Sequence, residues 1–324
     1  MTNDLQKLDD LIILDQRFQK HKVMRFGFEL NLSYANGQNM DLRMAAVDVA
    51  RSYWQDAGPV VDAFMRAGAT RYSPIKDGAF DPYYRKRLQQ EELSDDDKAI
   101  TLIDSTDGKD NNPPAPHQFF LRIGRDPVAD GDPRYERSNL TASWPVARCL
   151  EASKPVVDLV LEWCNRLHPE QGTAGIAPIA ERGMLFMKYR EYAPFLKRFP
   201  GLEFQFPLLS MPLWGGIRTV NWLTIIGDRY VEALGGRAAL TGMVPDDVTL
   251  HDYDGGVLIQ TGAEPELGDV NNGIWPEKYR NINAILRPLR FEDYKNAPMD
   301  LIRFPDPMDR YQETLAWVRR FDRS

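Results

Sequence analysis

The sequence predicts an α+β fold, a mostly antiparallel or mixed β-sheet with helices packed on its faces. Three observations carry that expectation. Residues 22–34 alternate, with Met24, Phe26, Phe28, Leu30 and Leu32 on one side and Arg25, Gly27, Glu29 and Asn31 on the other, the period of a strand with one apolar face. Strand-like runs come in pairs around turn signals: 118–125 with 138–144, and 248–253 with 256–261 across Asp254-Gly255. Helical stripes lie between some of these runs, but without the regular strand–helix–strand rhythm of a doubly wound sheet.

In chain order, residues 1–22 contain one short apolar run, Leu11-Ile12-Ile13-Leu14, closed by Asp15. It is too short for a secretory leader, and no later window approaches a membrane span, so a cytoplasmic protein with no membrane association is expected. Asn36-Gly37 ends the first strand. Leu42, Ala46, Val49 and Tyr53 share a helical stripe that Gly58-Pro59 breaks. Val60, Val61, Phe64 and Met65 read as a second short helix ending at Gly68, and 70–75 as a short strand. From Lys76 to Pro116 the chain turns polar and acidic, an excursion of loops with one short helix near 83–90. Ser153 then caps a helix to Leu167, with Pro155 in its first turn and Val156, Val160, Trp163 and Leu167 on its stripe. A strand over 173–179 and a helix over 187–198 follow. Residues 216–226 are strand-like, 228–234 form a short helix closed by Gly235-Gly236, and helices over 276–287 and 310–320 end the chain.

At 324 residues the chain is expected to form a single domain over 1–324, with lobes 1–180 and 181–324 as the alternative division. Its 43% hydrophobic and 27% charged residues are those of an ordinary folded protein. A net charge of -7 argues against a nucleic-acid binder, which needs a basic face to neutralise phosphates, and suits a basic protein partner. Cys149 and Cys164 make no framework; Cys164 reads as a buried small hydrophobe, and a disulfide between the two stays open.

The search for chemistry returns little. There is no Gly-x-Ser-x-Gly elbow and no phosphate-cradling loop followed by Lys and Ser or Thr. His21, His117, His168 and His251 are too scattered for metal-ligand spacing, so no metal and no cofactor are expected. Asp95-Asp96-Asp97-Lys98 and Asp107-Gly108-Lys109 have the acid–x–Lys order that metal-dependent nucleases use on a strand, but they sit in a polar stretch that reads as a solvated loop. Glu264, Glu266 and Asp269 could do acid–base work, which would make the protein a carboxylate-based or metal-dependent hydrolase. The simpler reading is a rigid turn bounded by glycine and proline. Trp222 reads as core, with Asn221 bonding to backbone at a bend.

The most distinctive stretch is 214–290. It runs Gly-Ile-Arg-Thr-Val-Asn-Trp-Leu-Thr at 216–224, Leu-Gly-Gly at 234–236, Gly-Gly-Val-Leu-Ile-Gln-Thr-Gly-Ala-Glu-Pro-Glu-Leu-Gly-Asp at 255–269, Tyr279, and Leu-Arg-Pro-Leu-Arg at 286–290. It resembles the type VI secretion immunity protein family (TsiV-like, formerly a domain of unknown function) of bacteria. The resemblance implies a non-catalytic protein that binds a cognate type VI effector toxin, a cytoplasm-acting nuclease, and occludes its active site. On that reading the distinctive stretch is the frame of the fold, and the acids of the excursion carry the contact: Glu91, Glu92, Asp95, Asp96 and Asp97, with Asp104 and Asp107 next. Carboxylates imitate phosphates in charge and hydrogen-bond acceptance, and opposite charge speeds association. The sequence leaves the oligomeric state open.

Overall fold

The computed structural model describes residues 5–94, 98–124, 137–151, 153–204, 216–296 and 301–322. The sheet is built around strand β2 (Lys22–Tyr34), the alternating run that the sequence singles out. Strand β8 (Gln171–Ala180) lies along one side of it, in register from Met24↔Ala180 to Ser33↔Gln171. On the other side β7 (Ser138–Trp144) pairs with Phe28 to Tyr34, and the short β1 (Ile12–Leu14) pairs with the first residues of β2. Beyond β7 come β6 (Gln118–Arg122), β5 (Ala99–Ile103), β3 (Ala63–Met65) and β4 (Tyr72–Pro74). Beyond β8 come β9 (Leu223–Gly227), β11 (Gly256–Gln260) and β10 (Thr249–Tyr253). Among the described residues this makes one 11-stranded sheet, antiparallel at every pairing. The hairpin joining β10 to β11 turns at Asp254-Gly255, where Gly255 takes φ 101, a conformation open to glycine and resisted by side chains.

Helices cover the sheet. Phe28, Leu30, Leu32 and Tyr34 of β2 enter the larger core together with Ala46, Val49, Ala50 and Tyr53 of α1 (Met40–Ala57) and Tyr84 and Leu88 of α2 (Phe80–Leu88). The short α3 (Ala147–Glu151) leads into α4 (Ser153–Leu167), which adds Val156, Val160, Trp163 and Leu167. Trp144 is the keystone: its ring lies 5.2 Å from Tyr53 and 5.8 Å from Trp163. Burial of each such ring contributes roughly 2–3 kcal/mol. A second core gathers Met24 and Phe26 at the start of β2, Tyr192 and Leu196 of α5 (Tyr189–Arg198), Phe204, and Trp317 and Val318 of α9 (Arg310–Val318). Between them come α6 (Asp228–Ala233), α7 (Arg237–Met243) and α8 (Glu277–Leu286).

Three local expectations need correction. Residues 60–65 are not a helix. A single 3-10 turn, Gly58–Val60, leads into β3, because β4 and β5 stand on either side and take its backbone groups. The acidic excursion is not only loop and helix, since β5 runs through it with Ile100, Leu102 and Ile103 fully buried. The strand expected over 216–226 begins only at Leu223; before it, Ile217 bridges to Arg290 and Asn221 turns the chain. The side of β2 opposite its apolar face is buried as well: Glu29 is 5% exposed, Asn31 6% and Ser33 1%.

Candidate partner-binding surface

The structure divides the acidic residues singled out in the sequence. Glu91 and Glu92 follow α2 and are exposed. The turn before them is held by Arg43 of α1, whose guanidinium donates to the carbonyls of Leu88 and Gln90 at 3.3 and 2.6 Å. Arg43 also donates to Gln38, which bonds to Gly124, while Ile123 donates to the Lys98 carbonyl at the head of β5. Glu91 and Glu92 therefore stand by the first residue of β5. Asp104 and Asp107 follow its last residue, about 17 Å away along a five-residue strand. Asp95, Asp96 and Asp97 lie outside the described residues.

At that second end the acids do different work. Asp104 closes an Asx turn, accepting from the Thr106 amide at 2.8 Å and hydroxyl at 2.7 Å, and is half-buried. Asp107 is turned inward and is 7% exposed. Its carboxylate accepts the amides of Ala115 at 2.8 Å and Arg182 at 3.2 Å, which ties the β5–β6 connection to the end of β8. Burial raises its pKa to about 6, against the pull of those amides. It holds the loop and presents no free carboxylate to solvent.

The 216–290 stretch, whose residues look like chemistry in the sequence, forms a buried polar frame. Asn221 is fully buried; it donates from Nδ2 to Glu203 at 3.0 Å and accepts the Trp222 amide at 2.8 Å. Gly175 of β8 is a glycine because Asn221 sits against it: a Cβ there would lie 2.2 Å from Asn221 Oδ1. Glu29, beside Glu203, accepts from Asn31 Nδ2 at 3.2 Å, and burial pushes its pKa up to about 8. Arg320 donates to the Pro200 carbonyl at 2.6 Å and the Thr219 hydroxyl at 2.8 Å, and stacks 3.9 Å from the Trp317 ring centroid. Burial lowers it to about 9, opposed by Glu203. Arg290 clamps the far end, with Asp322 at 2.7 and 2.8 Å and Glu292 at 2.6 Å.

The other sequence candidates are accounted for similarly. Asp269 forms a two-point ion pair with Arg198, at 3.0 and 2.7 Å, and accepts the Asn271 amide. His168 bonds the Asp254 carbonyl at 2.7 Å, His251 bonds Gln260 at 2.9 Å, and His117 is held below the ordinary imidazole value by burial. Cys149 and Cys164 are buried free thiols, which closes the disulfide question. Among the described residues no three His, Cys, Asp or Glu side chains are grouped to hold a metal ion.

A surface that sequence reasoning missed lies beside the Asp107 loop. Arg17 and Phe18 between β1 and β2, residues 184–190, and Arg303 meet there. Gln16 fastens the first segment to the second, through its amide to Glu191 at 3.1 Å and Nε2 to the Arg190 carbonyl at 3.0 Å. The Arg303 guanidinium lies 4.5 Å from the Tyr189 ring centroid and reaches Met187 Sδ at 3.6 Å. Tyr189 is held below the ordinary phenol value by a hydrogen bond from Arg190 and by the charges of Arg190, Arg303 and Arg17. Phe18 is 65% exposed, Phe186 50% and Met187 45%. Nothing in the periodicity marks them, because they sit in a turn and a single 3-10 turn, Leu185–Met187.

Residues 79–321 match the TsiV family model, described as type VI immunity for VRR-NUC. The chain belongs to this family. The TsiV match reaches well beyond 214–290 and takes in the acidic excursion from α2 onward, while β1 and β2 lie before it. A solved structure, Pseudomonas aeruginosa T6SS protein PA0821, aligns with a TM-score of 0.80 at 20% identity, covering 99% of this chain and 90% of that one. At that identity the likeness establishes a shared fold, β1 and β2 included. No curated protein matches the chain. Among the described residues no helix is long and apolar enough to cross a membrane.

Proposed function

We propose that this TsiV-family chain is a non-catalytic immunity protein. It binds a VRR-NUC-type nuclease effector of a type VI secretion system in the cytoplasm and neutralises it by covering the active site. The observation that carries this reading is the family match over 79–321. Two features of the chain support it. Of the carboxylates that could do acid–base work in the sequence, Glu264, Glu266 and Asp269, the last is held by Arg198, and Asn221 is engaged by Glu203 and the Trp222 amide. The candidate acids Glu91, Glu92 and Asp104 lie instead on the connections at the ends of β5, where a rigid sheet can hold them out to a partner.

A stable interface of this kind buries about 1,600 Å² in total, which requires more than one loop. Glu91 and Glu92 are proposed as acidic contacts to the nuclease's phosphate-binding cleft, and Asp104 as a contact from the opposite end of β5. Asp107 would act indirectly, by fixing the loop that carries Asp104. The protein itself binds neither nucleic acid nor membrane on this reading.

Co-purification tests it. The tagged chain should retain its cognate VRR-NUC effector domain through a size-exclusion column as one complex. Separate elution at micromolar concentrations would count against the reading. A nuclease and glycosidase panel on the purified chain tests the hydrolase alternative; turnover that Glu264→Gln or Glu266→Gln abolishes would replace the immunity reading with it.

A further inference from the structure

The surface around Tyr189 has the make-up of a protein interface and the wrong sign for the rest of the molecule. Its centre is apolar and adaptable: Phe186 and Met187 are exposed, Met187 and the half-buried Tyr189 share Arg303, and the exposed Phe18 is carried on the segment that Gln16 ties to the Arg190 carbonyl. Phe, Tyr, Met and Arg are the residues enriched in interface cores. Around that centre stand Arg190 and Arg303, whose guanidinium groups lie 5.7 and 4.5 Å from the Tyr189 ring centroid, and Arg17, next to the Gln16 that bonds the Arg190 carbonyl at 3.0 Å. Among the described residues none of the three has a carboxylate within ion-pair distance, whereas Arg51, Arg85, Arg148 and Arg198 elsewhere on the surface are all paired. On a chain with a net charge of -7, a cluster of unpaired guanidinium groups is a local reversal of sign.

We propose that Arg17, Arg190 and Arg303, set around Phe18, Phe186 and Met187, form a docking surface for a carboxylate-bearing face of the effector. The proposal rests on the immunity reading and names the surface that reading lacks. The occupant follows from charge complementarity: a guanidinium pairs with a carboxylate through two parallel hydrogen bonds, and three of them set a register as well as a sign. A second copy of this chain is disfavoured, because a two-fold dimer places the same patch on both sides and sets arginine against arginine. The surface also adjoins the Asp107 loop through Asn111, which accepts the Lys22 amide at 3.0 Å and donates to the Lys20 carbonyl at 2.6 Å. The acidic Asp104 turn and the arginine patch therefore offer opposite charges on one end of the sheet, which restricts how a partner can be oriented.

The test is isothermal titration of the full chain with its purified cognate VRR-NUC effector domain. The triple variant R17E/R190E/R303E should bind about 100-fold more weakly with an unchanged melting temperature, and F186A/M187A about 10-fold more weakly. Single reversals at Arg17 and Arg190 replace the triple variant if it melts early. If the wild type binds and the charge reversals bind equally well, the surface is not the interface, and the immunity reading survives without it. If the wild type does not bind at all, the immunity reading falls and the assigned occupant falls with it. Sedimentation and vesicle arms test the other occupants. A wild-type dimer that the triple variant dissolves, or pelleting with phosphatidylglycerol vesicles that it abolishes, would overturn the proposal in favour of a second copy or a membrane.

Discussion

Two sets of arginines define this molecule by contrast. Arg218, Arg290 and Arg320 lie inside the frame, and each is committed to neighbouring groups. Arg290 has Asp322 and Glu292, Arg320 has backbone carbonyls and Trp317, and Arg218 bonds the Phe204 carbonyl and stacks 5.0 Å from Trp317. Arg17, Arg190 and Arg303 lie outside, around a phenol and exposed apolar side chains, with no carboxylate paired among the described residues. The same residue type serves specification in one place and recognition in the other. The difference teaches where to look: in a binding protein the most elaborate polar chemistry can belong to the scaffold, because a buried charge must be satisfied from within. The binding chemistry is then what is left unsatisfied at the surface.

Substitutions at the two sets should separate stability from binding. The largest effect is expected at Arg290→Ala, which leaves Asp322 and Glu292 without their shared partner; Asp322, which hydrogen bonds from Arg290 hold at about 2, marks how strongly that pair is coupled. A loss of about 3–5 kcal/mol should appear in urea denaturation, as for other broken buried pairs. Asn221→Ala should cost about 2–3 kcal/mol, since it strands the Glu203 carboxylate and the Trp222 amide. Gly175→Ala should cost about 1–3 kcal/mol by pressing a methyl group into the Asn221 amide, and thermal melting of the double variant with Asn221→Ala should recover part of that loss.

The fourth effect is one of pH. Burial raises Glu29 from 4.5 to about 8, so the folded state holds a proton that the unfolded chain releases. Its contribution is therefore full below the unfolded value and is lost as pH rises toward 8. Asp107, raised to about 6, adds a term of the same sign. The wild type should lose stability between pH 5 and pH 8, and Glu29→Gln should lose less over the same range in chemical denaturation. The smallest effect on stability is expected at the fully exposed Arg190→Ala, which should leave the denaturation midpoint in place, although affinity for the effector should fall. If Arg190→Ala destabilises as much as Asn221→Ala does, the contrast between the two sets breaks down.

Much of the fold was legible because period and turn chemistry act locally. The alternation of residues 22–34 found the central strand, Asp254-Gly255 found a hairpin, and the stripe from Val156 to Leu167 found a helix. Strand β5 was not legible, since five residues flanked by acids gain their identity from β3 and β6 on either side. The burial of the other face of β2 was not legible, because alternation shows which residues face together, not what covers them. The 214–290 resemblance pointed to the family, and the reading of its residues as frame agrees with the burial of Asn221 and Trp222. Of the acids chosen for contact, Glu91, Glu92 and Asp104 keep some exposure and Asp107 does not; composition cannot tell a loop's anchor from its tip. The arginine surface left no sequence signal, because its members come from segments far apart in the chain and meet only in three dimensions.

The central claim is that this chain stops a nuclease by binding it. A stoichiometric titration tests that most directly: a fixed concentration of the VRR-NUC domain, DNA in excess, and increasing amounts of the purified chain. Cleavage should fall linearly and vanish near one equivalent, with Arg17→Glu shifting the end point and Asn221→Ala leaving it in place below its melting temperature. Undiminished cleavage in the presence of a tenfold excess of folded wild-type chain would contradict the account.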